Sequence, residues 1–202
     1  MIVSIKLENP LVSSRPLVGD YYREFRALSR LEIIKKLNLD QDQQDILEYL
    51  RLDSNQTDTE GKKVKRTIFE SYISRLMVKK NTGKKLRARI AFESILKNLD
   101  SSCKENPYLV ILNAIISSSS TYDCISIRYG SVYLLKKTYI SPRRRPIDVL
   151  VQFSRNNRKI KPSSNLVLRN SQELYWIWTQ DLKSNLLQKK KEIEKRVHNS
   201  NL

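Results

Sequence analysis

The residues of this 202-residue chain best placed to do chemistry are basic side chains that fall where helices are expected to begin. Lys84 and Lys85 follow Gly83, with Arg87 and Arg89 close behind, and Arg143, Arg144 and Arg145 follow Ser141-Pro142, an N-cap residue with proline at the first helical position. A helix N-terminus carries roughly half a positive charge and unsatisfied N–H groups, so a cation in its first turn costs up to about 1 kcal/mol. An external anion reverses that sign. A phosphate at such an end would receive backbone N–H groups, the dipole and the side chains together. A solvated basic face is the competing explanation for either cluster alone; two helix starts and a basic hairpin together favour phosphate.

That hairpin is expected over residues 122–140, where Tyr122, Cys124, Ser126 and Arg128 alternate with Asp123, Ile125, Ile127 and Tyr129 before Gly130-Ser131 and a β-prone run. It carries Arg128, Lys136 and Lys137 with Tyr129, Tyr133 and Tyr139 interleaved, a composition suited to a nucleic-acid groove. Tyrosine also favours strands on propensity alone. Further candidate RNA-binding residues are Arg155, Arg158 and Lys159 in an expected basic loop, and Lys189, Lys190 and Lys191 towards the C-terminus.

Catalysis has thin support. Residues 61–202 hold ten scattered acidic residues, with no Gly-rich phosphate loop or nucleophile elbow. Cys103 and Cys124 lack a CxxC partner, only one histidine (His198) is present, and neither a metal site nor a disulfide framework is expected. No cofactor is expected either. The alternative is a nucleic-acid enzyme, such as an organelle-encoded endonuclease or maturase fragment. It would need clustered carboxylates, and loss of nuclease activity on substituting Asp123 or Asp148 would be its hallmark.

The charge balance agrees with a binding role. The chain has 38 Lys plus Arg against 21 Asp plus Glu, net +17 at pH 7, a surplus that answers to a polyanion, nucleic acid or anionic membrane. It is unevenly spread: residues 1–60 hold 8 basic and 11 acidic residues, leaving 30 basic and 10 acidic in 61–202. Hydrophobic residues at 40% suffice for one core, and no apolar run approaches the roughly 20 residues of a spanning helix, so no membrane partner is expected. Met1 to Leu17 fits neither a secretory signal nor a transit peptide.

The elements that must position these groups are mainly helical. In the acidic extension, residues 1–60, Asp20 is expected to cap a helix bearing Tyr21, Phe25, Leu28, Leu31 and Ile34, and Asp42 a shorter one bearing Ile46, Leu47 and Leu50. Residues 53–61 read as a linker. In the basic domain, residues 61–202, Ile68, Tyr72, Ile73, Leu76 and Met77 share a helix face, and Leu86, Ile90, Ala91, Ile95 and Leu99 are expected inward on the next helix. A third helix runs from Tyr108 to about Ser118. A fourth starts after Ser141-Pro142, and Leu174, Ile177, Trp178, Leu182 and Leu186 mark a fifth, with Lys189 to His198 extending it or forming a sixth. Ser117 to Ser120 receives no role beyond ending a helix.

In this order the features resemble the small-subunit ribosomal protein 7 family over roughly residues 65–200. The resemblance rests on Leu76-Met77, Gly83-Lys84-Lys85, Ala88 and Ile90, then Asn106-Pro107 with Ala114-Ile115, then Arg128-Tyr129-Gly130-Ser131 and Pro142-Arg143-Arg144-Arg145 without a gap. It implies a bundle of about six helices with a protruding β-hairpin, binding the 3′ major (head) domain of small-subunit rRNA and nucleating head assembly. The hairpin would lie near the exit site, mRNA and tRNA, and the acidic extension against neighbouring ribosomal proteins. Departures include five residues between Met77 and Gly83, Ser131 in place of a second glycine, and Leu134-Leu135-Lys136-Lys137 in the second strand. With four alanines in the chain, at 27, 88, 91 and 114, the composition is that of an AT-rich gene, and the divergence points to the mitochondrial matrix ahead of the plastid.

Overall fold

The protein is described from a computed structural model at residues 18–50, 52, 67–77, 85–158 and 165–199. Among these residues it is mainly α: nine helices and one two-stranded antiparallel sheet. Residues 53–61, Gly83, Lys84 and Lys159 lie outside the described residues.

The centre is α6 (Pro107–Ser117), whose sequence PYLVILNAIIS is apolar on every side. A helix with no polar face must be surrounded, and Leu109 to Leu112 and Ala114 to Ile116 are all buried. Its start follows from the sequence: Asn106 accepts the Tyr108 N–H at 3.0 Å, and Pro107 stands where no N–H is needed. α5 (Lys85–Ser102), α7 (Arg145–Arg158) and α8 (Leu166–Trp178) pack against α6, α4 (Ile68–Leu76) lies on α5 and α7, and α9 (Asn185–Asn199) on α7 and α8. These are the expected six helices.

The extension contributes α1 (Val18–Ala27), α2 (Arg30–Leu37) and α3 (Gln41–Tyr49), and Phe25, Ile33, Ile46 and Leu47 join the same core. The single helix expected from Asp20 to Ile34 is two. Ser29 Oγ accepts the Glu32 N–H at 3.3 Å while Glu32 accepts the Ser29 N–H at 2.7 Å, a capping box that restarts the chain. Leu31 therefore points outward and Ile33 inward. The second cap shifts from Asp42 to Asp40, whose N–H is received by Gln43.

Aromatic contacts tie the layers. Phe69 lies 5.3 Å from Phe25 and 5.0 Å from Tyr108, joining α4, α1 and α6. Tyr72 lies 5.9 Å from Phe92 and 5.5 Å from Phe153, joining α4 to α5 and α7, and its hydroxyl donates to Asn170 on α8 at 3.3 Å. Burial raises both phenols: Tyr72 strongly, and Tyr108 to about 12 with smaller contributions from Tyr22 and Glu93. Both are neutral in the fold and ionise near pH 10 when unfolded, so their stabilisation is complete below about pH 10 and is lost as pH rises beyond it. Burial raises the Cys103 thiol as well, so the melting temperature should begin to fall as pH passes the ordinary thiol range and fall steeply above about pH 10. A melting temperature unchanged at about pH 11 would contradict this.

Two helix starts differ from expectation in ways that matter for the site. On α5 the buried stripe is Ala88, Phe92, Ile95, Leu96 and Leu99, whereas Leu86 and Ile90 are 68% and 54% exposed. At α7, Pro146 has no N–H to give the Pro142 carbonyl, so Pro142 to Arg144 form a turn and the helix begins at Arg145. Near the C-terminus the expected fifth helix divides. α8 ends at left-handed Gln180 (φ 57°), and the Asp181 N–H closes on the Trp176 carbonyl at 2.7 Å. Leu182 is exposed in the turn, and Leu186 is buried in α9.

Candidate nucleic-acid interface

Strands β1 (Tyr122–Tyr129) and β2 (Val132–Tyr139) pair in the register Tyr122↔Tyr139 to Tyr129↔Val132, with Gly130 at φ 60° in the turn. Opposed residues share a face, so Tyr122, Tyr139, Lys137, Arg128 and Tyr133 lie on one side and Lys136, Ile125, Leu134 and Tyr129 on the other. The Arg128 guanidinium stands 5.9 Å from the Tyr133 ring, its Nε donating to the Gly130 carbonyl at 2.9 Å. Lys137 Nζ stands 4.1 Å from the Tyr122 ring. These cation–π pairs hold charges on an aromatic platform, an arrangement fit for a base face or a phosphate. Tyr129, Tyr133 and Tyr139 are all exposed.

At the base of the hairpin the structure gathers residues that are far apart in sequence. A cleft of about 270 Å³ is lined by Arg144, Arg145, Arg155, Lys189 and Lys190 against two acids, Asp123 and Asp148. Arg144 and Arg155 are exposed; Arg144 pairs with Asp148 at 3.3 Å, a surface contact of little strength. Lys189 Nζ donates to Gln152 Oε1 and Asn156 Oδ1, both at 3.1 Å, and Lys190 Nζ to the Ser117 carbonyl at 2.9 Å. The serine run thus has a further use: Ser118 and Ser120 line the cleft, and Ser117 anchors one of its lysines. Lys137, Glu194 and His198 line a neighbouring cleft.

The other candidates separate. Lys85, Arg87 and Arg89 are exposed at the start of α5 and do not line the cleft. Arg143 and Lys191 are exposed, and Arg158 ends α7 with its side chain outside the described residues. Arg145 is placed unlike the others. It is 2% exposed, and its guanidinium faces the carbonyls of Ile140 and Asp42, so it does not offer the free charge expected of a phosphate anchor. Among the described residues no cluster of His, Cys, Asp or Glu could hold a metal, and no helix is long and apolar enough to cross a membrane.

Residues 46–201 match the family model of Ribosomal protein S7p/S5e. The chain belongs to that family. Members are structural proteins rather than enzymes, and this S7p/S5e protein has a structural role in the small ribosomal subunit. It is 26% identical over 136 residues to "Small ribosomal subunit protein uS7" of Thermoplasma volcanium, covering 66% of this chain and 74% of that one. With the protein of the same description in Methanococcus maripaludis it shares 28% identity over 142 residues, 68% and 75% of the two chains. The Natronomonas pharaonis counterpart is 32% identical over 97 residues, covering 46% and 45%.

The S7p/S5e match begins inside α3, so α1 and α2 precede it, while every basic residue around the cleft lies within it. Sequence reasoning missed Gln152 and Asn156, the amides that hold Lys189. Their positions on α7, four residues apart and so on one helix face, were the available clue.

Proposed function

We propose that the protein binds the 3′ major (head) domain of small-subunit rRNA and nucleates head assembly, with its hairpin directed towards the exit site, mRNA and tRNA. The observation that carries this reading is the cleft at the hairpin base, where α7 and α9 place a cationic majority beside a ribbon bearing its own cations and exposed tyrosines. RNA supplies closely spaced phosphates for the first and unstacked bases for the second.

Residues 61–202 form the RNA-binding part in this reading, and residues 1–60 contact neighbouring ribosomal proteins. The extension's charge balance supports that division, as does the exposure of Leu31 and Tyr49 on it. The mitochondrial matrix is proposed as its compartment on the AT-rich composition and the family divergence. The relatives named above are archaeal.

In fractionated organelles the protein should co-sediment with mitochondrial small subunits through moderate salt, and the purified chain should bind a head-domain rRNA fragment with steep salt dependence. Sedimentation as a free protein, or a flat salt response, would overturn the proposal.

A further inference from the structure

Arg145 differs from the two arginines before it, which are exposed. Its Nε donates to the Ile140 carbonyl at 2.9 Å, its Nη1 reaches the Asp42 carbonyl at 3.4 Å, and its guanidinium lies 5.1 Å from the Tyr139 ring. Its Nη2 is buried without a partner. One side chain therefore joins the end of β2, the first turn of α3 and the start of α7. Asp42 precedes the segment that matches the family, so this joint includes a part of the chain outside that match.

Apart from Arg145 the hairpin is held at its base and by the contact of β1 with α9. It is a lone two-stranded ribbon with Ile125, Leu134 and Leu135 exposed, and such ribbons are marginal unless something holds them. Its base is closed by Ile140 N–H to the Thr121 carbonyl at 3.0 Å, Thr121 Oγ1 reaches Asp42 Oδ2 at 3.4 Å, and β1 leans on α9.

We propose that Arg145 is a positioning residue: it sets the angle at which the hairpin leaves the helical body by tying Tyr139 and Ile140 to α7 and α3, and it does not contact RNA. The task suits arginine, whose rigid planar guanidinium reaches two carbonyls and a ring at once in a fixed geometry; a lysine ammonium is a point charge on a flexible stem.

The test uses the full-length protein with Arg145→Lys, Arg145→Gln and Tyr139→Leu. Hydrogen exchange of the β1 and β2 amides should accelerate on the order of tenfold in both Arg145 variants, and less in Tyr139→Leu, with core amides of α5 and α6 unchanged. Binding to a head-domain rRNA fragment should weaken about tenfold in Arg145→Gln, with its log–log salt slope unchanged because no phosphate contact is lost. Arg145→Lys should not rescue it. The RNA arm rests on the rRNA-binding proposal above; the exchange arm does not, and it decides the matter alone if the wild-type protein fails to bind.

A slope reduced by about 0.7 to 0.9 in Arg145→Gln, with affinity restored by Arg145→Lys, would make Arg145 a phosphate anchor and overturn the proposal. Unchanged hairpin exchange would also overturn it, as would acceleration spread equally through α5 and α6. If the Arg145 variants do not fold, Tyr139→Leu decides: its ring is exposed, so the substitution spares the core, and wild-type hairpin exchange there would end the proposal.

Discussion

Glu173→Ala is expected to destabilise the protein by about 3 kcal/mol, a fall in melting temperature of roughly 6 to 12 °C for a chain of this size. Glu173 is a buried carboxylate on α8 that serves the start of α9. Its Oε1 accepts from Ser184 Oγ at 2.8 Å and from the Leu186 N–H at 2.9 Å, and its Oε2 from Asn185 Nδ2 at 3.4 Å. A negative charge at a helix N-terminus is favourably placed against the dipole, and the surrounding protein screens it little. Alanine would leave the Ser184 and Leu186 donors buried without that acceptor, at about 1 to 3 kcal/mol each, partly recovered by relaxation. Glu173→Gln keeps a carbonyl oxygen able to accept from both Ser184 and Leu186, loses the charge and the Asn185 contact, and should cost about 1 kcal/mol. The consequence reaches the basic cleft because α9 carries Lys189 and Lys190. Chemical denaturation of the three proteins, with exchange rates for α9, checks this; a loss below about 1 kcal/mol in Glu173→Ala would remove the carboxylate from its assigned role.

Glu173 also marks the limit of what could be read from the chain. In sequence it is one of ten scattered acids, and nothing near it indicates that it faces the start of the next helix. What was legible was local. Asn106-Pro107 announces α6 because cap and first turn are adjacent, and β1 and β2 announce themselves by alternation and a glycine turn. The break between α1 and α2 was legible too: Ser29 and Glu32 have the spacing of a capping box, but the apolar period ran past it. Leu86 and Ile90 misled because they keep helical spacing while α5 turns its other stripe to α8. Of the basic residues, clustering in sequence pointed to α7 and α9, and Arg145, Arg155, Lys189 and Lys190 on them do line one cleft. It could not show that the two helices share a cleft, nor that Arg145 turns inward, since one of its partners, Asp42, lies 103 residues away.

Replacing Arg143, Arg144 and Arg155 together by alanine should lower affinity for a head-domain rRNA fragment by roughly 100- to 500-fold at 0.1 M salt while leaving the fold intact. Each neutralised phosphate adds about 0.7 to 0.9 to the log–log salt slope, so at 0.1 M each contributes nearly a factor of ten relative to 1 M. Three lost contacts remove about 2.1 to 2.7 from the slope, and the affinity loss should shrink towards nothing near 1 M salt. The three side chains are exposed, and the single ion pair among them, Arg144 to Asp148, is solvent-screened, so stability should move by less than about 0.5 kcal/mol per substitution. That separates this variant from Glu173→Ala, which loses affinity by displacing α9, and from Arg145→Gln, which loses it with the slope preserved. An unchanged slope in the triple variant would mean that phosphates are met elsewhere. The exposed start of α5, with Lys85, Arg87 and Arg89, would then be the surface to substitute next, and the cleft at the hairpin base would lose its place as the anchor.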